Sequence, residues 1–375
     1  MKTVCNLNMC TGCKACVQVC QESAISLIDS IKNLNAVIDE DKCIRCNACE
    51  RVCQQVRLLD VRPPIKWFQG WAKNECSRSR SSSGGFAYQI MKKFLEEDGF
   101  VCSCTFKNGC FSYSVAGSVS EINQFRGSKY VKSDPKGIYS TIKELIKSGN
   151  KILFLGLPCH VAALKRYVGG INSENLFTVD LICHGSPSEK ILSEFLAEKG
   201  IDIKEINNIS FREKNKFRIS CEGEKAVQIT PFGVRDRYTI GFLNGLFYTE
   251  NCYSCRYAGL DRVSDITIGD SWGSDLEDTD EGRKGISLAL CQTQRGVDLL
   301  KKCDIKIMDV DLDKAVTANH QLQKPSRVPD ERTLFFDLIA SGESVNKAIA
   351  KCYPETCRRQ DIKSILTKLH VLNGR

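Results

Sequence analysis

Eight of the 22 cysteines of this chain stand as two copies of one spacing, Cys-x2-Cys-x2-Cys-x3-Cys, within residues 10–53. Three thiolates at this spacing can hold three corners of a 4Fe-4S cluster, whereas the fourth, one residue further along, points towards a second cluster. The spacing therefore predicts two 4Fe-4S clusters whose ligand sets cross between the copies. The first set is Cys10, Cys13, Cys16 and Cys53, and the second is Cys43, Cys46, Cys49 and Cys20.

Zinc is the competing metal, because four thiolates in a tetrahedron also form a structural zinc site. A zinc ribbon uses two CxxC pairs for each ion and has no use for the further cysteines of each copy, so we favour iron. The residues after the last cysteine of each copy are Gln21 and Gln54, where the usual bacterial run has proline. Neither change removes a ligand.

A second group of four cysteines lies far along the chain. These are Cys159 in GLPCH, Cys183 in LICHG, and Cys252 with Cys255 in ENCYSC. The first two follow apolar stretches typical of buried strands, and the carboxyl ends of strands are where α/β proteins build their sites. The four thiolates predict a third 4Fe-4S cluster. From the residues alone, ordinary burial of small apolar cysteines and a zinc site using His160 or His184 are the alternatives.

Composition is that of a globular protein long enough for two or three domains, with 26% charged and 42% hydrophobic residues. The first residues, MKTVCNLNMC, lack the apolar region of an export signal, and no apolar run approaches the roughly 18 residues of a spanning helix. We therefore expect a cytoplasmic protein without a membrane span. In reducing surroundings, so many cysteines indicate metal rather than disulfides.

The formal net charge of +8 would fit a nucleic-acid partner, which we discount. Each cluster held by four thiolates carries roughly −2, so three clusters would remove about six charges. The chain also has no block of five or six basic residues and no helix-turn-helix or RNA-binding signature.

Four segments are expected to position these cysteines. Residues 1–60 form an α+β ferredoxin-type module with short hairpin strands at 24–28 and 36–38. Residues 61–80, with the consecutive prolines Pro63 and Pro64, are a linker. Residues 81–325 form an α/β domain with a partly parallel sheet, and residues 326–375 form a helical tail.

The α/β prediction depends on alternating patterns. The expected strands are 100–104, 151–156 and 176–183, and the expected helices are 86–99, 141–149 and 188–200. Cys102 and Cys104, two apart on the first of these strands, are expected to pack in the core. The other cysteines, Cys5 among them, have no spacing that implies a metal.

Several of these motifs together resemble one known family. GLPCHVAALK, VDLICHGSPS, CYSCRYAGLDRVSDITIGDSWG and SSSGG are similar to the coenzyme F420 hydrogenase/dehydrogenase beta-subunit family, in the form fused to an N-terminal two-cluster ferredoxin. The resemblance runs from Cys10 to about Lys324. It implies an iron–sulfur flavoprotein that binds FAD and a 4Fe-4S cluster in the beta-subunit domain, which strengthens the third-cluster prediction.

The resemblance implies FAD, and two segments are candidates to bind it. The first is Ser82, Ser83, Gly84 and Gly85, and the second is Gly127, Ser128, Lys129 and Tyr130. The first precedes a helix, whose free amides and positive end suit a pyrophosphate, although a simple serine cap is the alternative. In the second, Lys129 is expected to face phosphate or the reduced flavin ring, with an exposed turn as the alternative. No GxGxxG or Walker motif is present.

Asp265, Asp270 and Trp272 in SDITIGDSWG either orient the cluster loop, line the flavin pocket, or belong to an ordinary strand and turn with a core tryptophan. No side chain stands out as an acid–base catalyst, so the catalytic residues are unassigned. The cofactors would carry the chemistry, and the protein would position them.

The function expected from these features is an electron-transfer flavoenzyme. Its partners would be a redox protein or reduced ferredoxin and a small-molecule hydride acceptor or donor. That molecule is coenzyme F420 or another small oxidised substrate, since similar ferredoxin-fused members occur in bacterial surface-polysaccharide biosynthesis. The alternatives are a non-catalytic electron-transfer subunit of a hydrogenase or dehydrogenase and, less favoured, a zinc-stabilised structural protein.

Overall fold

The computed structural model describes residues 1–223 and 226–372. It has the expected fold class, an α+β ferredoxin-type module followed by an α/β domain with a partly parallel sheet and a helical tail. No helix in the described ranges is both long enough and apolar enough to cross a membrane.

The N-terminal module repeats one small unit. Its elements are α1 (Ala15–Val19), β1 (Ile25–Asp29), β2 (Leu34–Ile38) and α2 (Ala48–Val52). Lys14 and Asn47, 33 positions apart in the sequence, both take the left-handed conformation before their helices, with φ of 54° and 57°. Cys20 and Cys53 end the helices in the same extended conformation. The cysteine repeat is therefore also a backbone repeat.

The remaining elements alternate as expected. The strands are β3 (Lys66–Ala72), β4 (Phe100–Lys107), β5 (Cys110–Ala116), β6 (Ile152–Gly156), β7 (Leu176–Leu181), β8 (Asn208–Glu213), β9 (Lys216–Glu222), β10 (Ala226–Gln228), β11 (Ile266–Asp270), β12 (Ser287–Cys291) and β13 (Ile305–Met308). The helices are α3 (Glu75–Ser79), α4 (Phe86–Glu96), α5 (Ile138–Lys147), α6 (Pro158–Val168), α7 (Glu189–Ala197), α8 (Arg237–Leu243), α9 (Asp280–Arg283), α10 (Gln294–Lys302) and α11 (Leu312–Ala318). Short 3-10 turns span Glu121–Phe125, Ser173–Asn175, Ile203–Glu205, Glu250–Ser254 and His320–Leu322.

The large sheet has eight strands in the order β13-β3-β12-β11-β7-β6-β4-β5. Its centre, β11-β7-β6-β4, is parallel, and the strands on both flanks are antiparallel. All five residues of β6 are buried, as expected for a strand covered on both faces. The carboxyl ends of β6, β7 and β11 therefore meet at one edge of the sheet.

The stretch 61–80, expected to be a linker, contains β3 and α3. β3 pairs with β12 on one side and β13 on the other, so it is an interior strand of the large sheet. Pro63 and Pro64 end just before it. The connection between the two parts of the chain is thus shorter than the sequence indicated.

The tail forms three helices, α12 (Arg332–Ala340), α13 (Val345–Cys352) and α14 (Pro354–Lys368). α13 packs on α7 and α8, and Phe335 and Ile349 are fully buried in the same core as these helices. The tail is therefore an integral layer of the α/β domain.

The ferredoxin-type module packs directly on the α/β domain. Its helices α1 and α2 both lie against α6. Lys14 forms an ion pair with Asp134 at 2.6 Å, and Gln18 donates to the carbonyl oxygen of Pro135 at 2.7 Å. These contacts hold the two cysteine-rich parts of the chain side by side.

Candidate metal centres and cofactor cavity

Cys53 of the second cysteine copy lies with Cys10, Cys13 and Cys16 of the first. All four thiols are buried and line one small cavity in the module. This is the crossed arrangement that the spacing predicts, and we call these four residues the inner set. Cys49 of the other copy adjoins Cys16, so the two predicted sites are neighbours.

The other crossed set, Cys43, Cys46, Cys49 and Cys20, lies nearer the surface, and we call it the outer set. Cys46 is exposed and the other three are half-buried. The neighbouring Ile44 is 66% exposed. The Arg51 guanidinium donates to the carbonyl oxygen of Cys46 at 2.9 Å and so braces this loop. A redox partner can approach the outer set, whereas the inner set is enclosed.

A fifth thiol, Cys5, lies beside the inner set, which the sequence did not indicate. Its contact with Cys10 and Cys53 lowers the pKa of each to about 7, while the pKa of Cys5 itself is raised. Cys5 has no fixed spacing to the repeat, and only its nearness in sequence to Cys10 could have drawn attention to it.

The structure also brings together Cys159, Cys183, Cys252 and Cys255, which we call the third set. Cys159 is the second residue of α6, and Cys183 follows the end of β7, so both stand at the sheet edge described above. All four thiols are half-buried. Burial raises the pKa of Cys159, the charges of the other three cysteines each raise it further, and Cys159 and Cys255 pack against the same core cluster.

The spacing of the thiols within the three sets bears on the kind of metal site that they could form. Within the two described ranges, no three His, Cys, Asp or Glu side chains are close enough to hold one metal ion. A cubic cluster binds each thiolate to a different iron, so its sulfurs stand further apart than those around one zinc. Burial, followed by the charges of Cys252 and Cys255, raises the pKa of Cys183 to about 12. The positive charge of the iron in a bound cluster would ionise such a thiol.

A cavity of about 460 Å³ opens at the carboxyl edge of the parallel strands. Such a position is where open α/β sheets bind their ligands. Its wall contains seven of the eight predicted flavin residues, namely Ser82, Ser83, Gly85, Gly127, Ser128, Lys129 and Tyr130. Cys183 of the third set lines the same cavity. Cys104 also reaches this wall, whereas Cys102 is fully buried in the core.

Gly84 is the predicted flavin residue that does not line the cavity. A side chain there would come within 2.5 Å of the Gly70 carbonyl oxygen and 2.6 Å of the Ser287 amide nitrogen. Gly84 is therefore required by close packing on β3 and β12. Gly85 is the cap residue before α4 and has φ of 95°, a conformation that glycine adopts without strain.

Lys214 binds the backbone of the loop that contains Ser82, Ser83, Gly84 and Gly85. Its ammonium donates to the carbonyl oxygens of Arg78, Ser81 and Ser83 at 2.6, 2.8 and 3.1 Å. The amide groups of Ser82 and Ser83 make no hydrogen bond to any residue that the structure describes. A loop whose carbonyls are turned away and whose amides are free at a helix start can receive an anion.

The second flavin segment is joined to the first by a hydrogen bond. The amide of Ser128 donates to the Ser82 hydroxyl at 3.0 Å. The Tyr130 ring stacks on Phe242 with centroids 4.4 Å apart. Lys129 donates to the carbonyl oxygens of Phe125 and Arg126 at 3.0 and 2.8 Å, and desolvation lowers its pKa. Its ammonium is thus already engaged by the backbone at the cavity wall.

Asp270 and Arg212 form a two-point ion pair on the wall of the cavity. Arg212 Nη1 and Nη2 lie 2.6 and 3.2 Å from the two carboxylate oxygens, and the guanidinium stacks on Phe217 at 4.8 Å. Trp272 lines the same wall. Asp265 instead accepts hydrogen bonds from Arg295 Nε at 2.7 Å and from the Thr178 amide at 2.9 Å, so it braces β7 against the start of β11. The sequence indicated Asp270 and Trp272 but carried no signal for Arg212.

Both histidines near the third set are held by other groups. Tyr113 Oη lies 2.9 Å from Nδ1 of His160, and Gln321 Nε2 lies 2.8 Å from Nδ1 of His184. Burial lowers the pKa of His160 to about 3 and that of His184 to about 4. Both imidazoles are therefore neutral near pH 7, and His184 lines the cavity.

Comparison with known proteins covers both parts of the chain. Residues 149–311 match the family model for the C terminus of the beta subunit of coenzyme F420 hydrogenase/dehydrogenase, and residues 9–55 match the 4Fe-4S dicluster domain. No curated protein sequence matches the chain significantly. Among solved structures, a chain of the F420-reducing [NiFe] hydrogenase complex from Methanosarcina barkeri is 20% identical, with a TM-score of 0.48. The match covers 72% of this chain and 97% of that one.

The two family matches define an iron–sulfur protein of the electron-transfer type. Residues 149–311 are similar to the C terminus of the coenzyme F420 hydrogenase/dehydrogenase beta subunit, and a 4Fe-4S dicluster domain lies in front of that part. The dicluster match includes all eight cysteines of the repeat, and the family match includes the four cysteines of the third set.

Proposed function

We propose that this chain is an iron–sulfur flavoprotein oxidoreductase that passes electrons between three 4Fe-4S clusters and FAD. One observation carries the proposal: Cys183 belongs to the third cysteine set and also lines the cavity that contains the predicted flavin residues. A cofactor in that cavity would lie next to a cluster held by the third set. Such nearness is what electron transfer between two bound cofactors requires.

The solvent exposure of the cysteines suggests an order in which electrons would pass between the three sites. The outer set faces solvent, the inner set is enclosed, and the third set adjoins both the module and the cavity. Cys13 of the inner set shares a core cluster with Cys159 and Cys255 of the third set. Electrons would enter at the outer set and pass through the inner and third sets to the cavity, or leave by the reverse path.

FAD would be held by residues on two sides of the cavity. Ser82, Ser83 and Gly85 offer amides at the start of α4 to the pyrophosphate, and Ser128 and Tyr130 close the second side. When bound, a flavin supplies chemistry that clusters lack, because it exchanges electron pairs with organic molecules and single electrons with metals. The chain's own residues bind it, orient it and exclude water.

The substrate is proposed to be coenzyme F420 or another small oxidised molecule, in the second case within bacterial surface-polysaccharide biosynthesis. The Arg212–Asp270 pair and Trp272 offer a charged and aromatic wall on which such a molecule can be oriented. A second candidate is an electron-transfer subunit without its own substrate. The exposed outer set favours it equally, because any partner protein could dock there.

Anaerobic purification with quantification of iron, sulfide, zinc and flavin tests the proposal. Three cubic clusters and one flavin predict about twelve iron atoms and one FAD per chain. About eight iron atoms per chain would exclude the third cluster. Absence of flavin would favour the second candidate, an electron-transfer subunit without its own substrate. Reduction of F420 compared with a panel of other acceptors under the same conditions would then identify the substrate class.

A further inference from the structure

Gln54 is one of the two residues that depart from the ferredoxin pattern, and the structure gives it a specific environment. It follows Cys53 at the place where the usual bacterial run has proline. Its side chain is completely buried between the inner and third sets. Nε2 donates to the Thr11 hydroxyl at 3.0 Å, and Oε1 accepts from the Tyr257 hydroxyl at 2.5 Å.

Both partners of Gln54 belong to cysteine loops. Thr11 lies between Cys10 and Cys13 of the inner set, and Tyr257 lies two residues after Cys255 of the third set. The amide of Gln54 therefore bridges the two loops. A buried amide with both ends satisfied is stabilising only while both partners are in place, because an unpaired buried polar group is costly.

Lys132 forms a second bridge between the same two cysteine-containing regions. Lys132, only 9% exposed, donates to the Thr11 carbonyl oxygen at 3.3 Å and to the Thr249 hydroxyl at 2.7 Å. The Thr249 hydroxyl in turn lies 3.5 Å from Sγ of Cys252 in the third set. Thr11 is thus linked through Gln54 at its hydroxyl and through Lys132 at its carbonyl to Tyr257 and Thr249, which flank the ENCYSC segment.

The backbone does not explain why position 54 holds glutamine. Cys53 has φ of −76° and ψ of 113°, an extended conformation that suits the residue before a proline. Cys20 is nearly the same, with φ of −79° and ψ of 108°. The amides of Gln21 and Gln54 donate no hydrogen bond to the residues that the structure describes. The residue before each glutamine is extended and neither amide donates to a described residue, so the side chain is the feature that distinguishes position 54.

We propose that Gln54 and Tyr257 are positioning residues that fix the inner set against the third set and make this contact the electron path out of the ferredoxin-type module. The proposal rests on the function proposed above. One electron leaves the inner site as one electron arrives at the third site, and no bond is made or broken. A low-potential reduced ferredoxin or dithionite supplies the electron.

The sequence offers a matched control. Gln21 follows Cys20 as Gln54 follows Cys53, but its side chain is exposed and makes no hydrogen bond to a described residue. Gln21→Pro and Gln54→Pro therefore make the same change in the two halves of one repeat, and only the second removes the bridge. Tyr257→Phe removes the bridge from the other side by deleting one hydroxyl.

The experiment uses the full chain, purified anaerobically, in four forms: wild type, Gln21→Pro, Gln54→Pro and Tyr257→Phe. Each is mixed rapidly with reduced ferredoxin, and the arrival of the electron at each cluster is followed by freeze-quench EPR. Iron per chain is measured on the same samples. We expect Gln54→Pro and Tyr257→Phe to slow the arrival of the electron at the third cluster about tenfold or more. Both variants should keep the wild-type iron content, and Gln21→Pro should keep the wild-type rate.

Equal rates in all four forms, with about twelve iron atoms each, would overturn this inference and leave the proposed function standing. About eight iron atoms in the wild type would overturn both. If Gln54→Pro loses iron, Tyr257→Phe decides: slow arrival with full iron supports the inference, and a wild-type rate rejects it.

Discussion

The amide of Ser128 donates a hydrogen bond of 3.0 Å to the hydroxyl of Ser82, and this contact joins two segments that are 46 residues apart in sequence. Both residues line the cavity at the carboxyl edge of the parallel strands. The two flavin candidates that the sequence indicated separately therefore form one continuous wall.

Ser82→Ala is expected to weaken flavin binding. The change removes the hydrogen bond that holds the two segments together, which contributes about 1 kcal/mol, so the Kd for FAD should rise roughly five- to tenfold. Quenching of flavin fluorescence during titration of the flavin-free protein measures the Kd. Ser79→Ala is the control, because the Ser79 hydroxyl is exposed and bonds only to the local Cys76 carbonyl. Equal Kd values for the two variants would contradict the prediction.

Flavin affinity is also expected to fall as pH rises through about 8. Burial, then the charges of Arg78 and Arg212, lowers the pKa of Lys214 to about 8, against the opposing effect of Asp270 and Glu213. Above that pH the amine keeps only two N–H donors for its three carbonyl partners, so the loop loosens.

The linkage to stability has the opposite sign. Between about 8 and the ordinary lysine value of about 10.4, the unfolded chain binds more protons at this site than the folded chain. This group therefore makes folding more favourable as pH rises through that window. Measuring the FAD Kd from about pH 7 to about pH 9 in wild type, Lys214→Met and the hairpin control Lys216→Met tests the effect on flavin binding. The pH dependence should disappear in Lys214→Met alone.

The elements that bear the site follow from local patterns in the sequence. Apolar runs in the sequence indicate β6 and β7. The turns after these strands place Cys159 and Cys183 at the carboxyl edge of the sheet, where α/β proteins build their sites. The crossing of Cys53 to the first copy followed from its spacing. The sequence does not indicate β3, because the prolines before it are typical of a linker. Its pairing with β12 and β13 depends on residues more than 200 positions away.

Contacts between distant loops could not be predicted in the same way. Gln54 departs from the ferredoxin pattern, but its partner Tyr257 lies 203 positions further on. Arg212 and Lys214 lie on the β8–β9 hairpin, whose sequence carries no motif, and they act only because the hairpin folds over the cavity. Lys132 is one of several basic residues in its segment, and the sequence carries no sign that it is buried.

Lys132→Met is expected to lower the reduction potential of the inner cluster. The Lys132 ammonium lies beside the inner set and also acts on Cys159 and Cys183, so it stabilises the more negative, reduced form of a nearby cluster. A buried charge at this range contributes about 1.4 kcal/mol or more, equivalent to about 60 mV for one electron. An EPR-monitored redox titration measures the shift. The exposed Lys136→Met variant should keep the wild-type potential, and a common potential for both variants would refute the assigned role.

The outer cluster is expected to be the first to be lost on exposure to oxygen or a chelator. Cys46 is exposed, whereas the four thiols of the inner set are 6 to 7% exposed, so reagents reach the outer site before the inner one. Iron release followed with a chromogenic chelator should show a fast phase of about four iron atoms and a slower phase of about eight. Cys46→Ser tests the assignment, because it removes a ligand of the outer set alone and should abolish the fast phase while the slow phase is kept. A fast phase that persists in Cys46→Ser would place the labile cluster elsewhere, and Cys255→Ser would then show whether it is the one held by the third set.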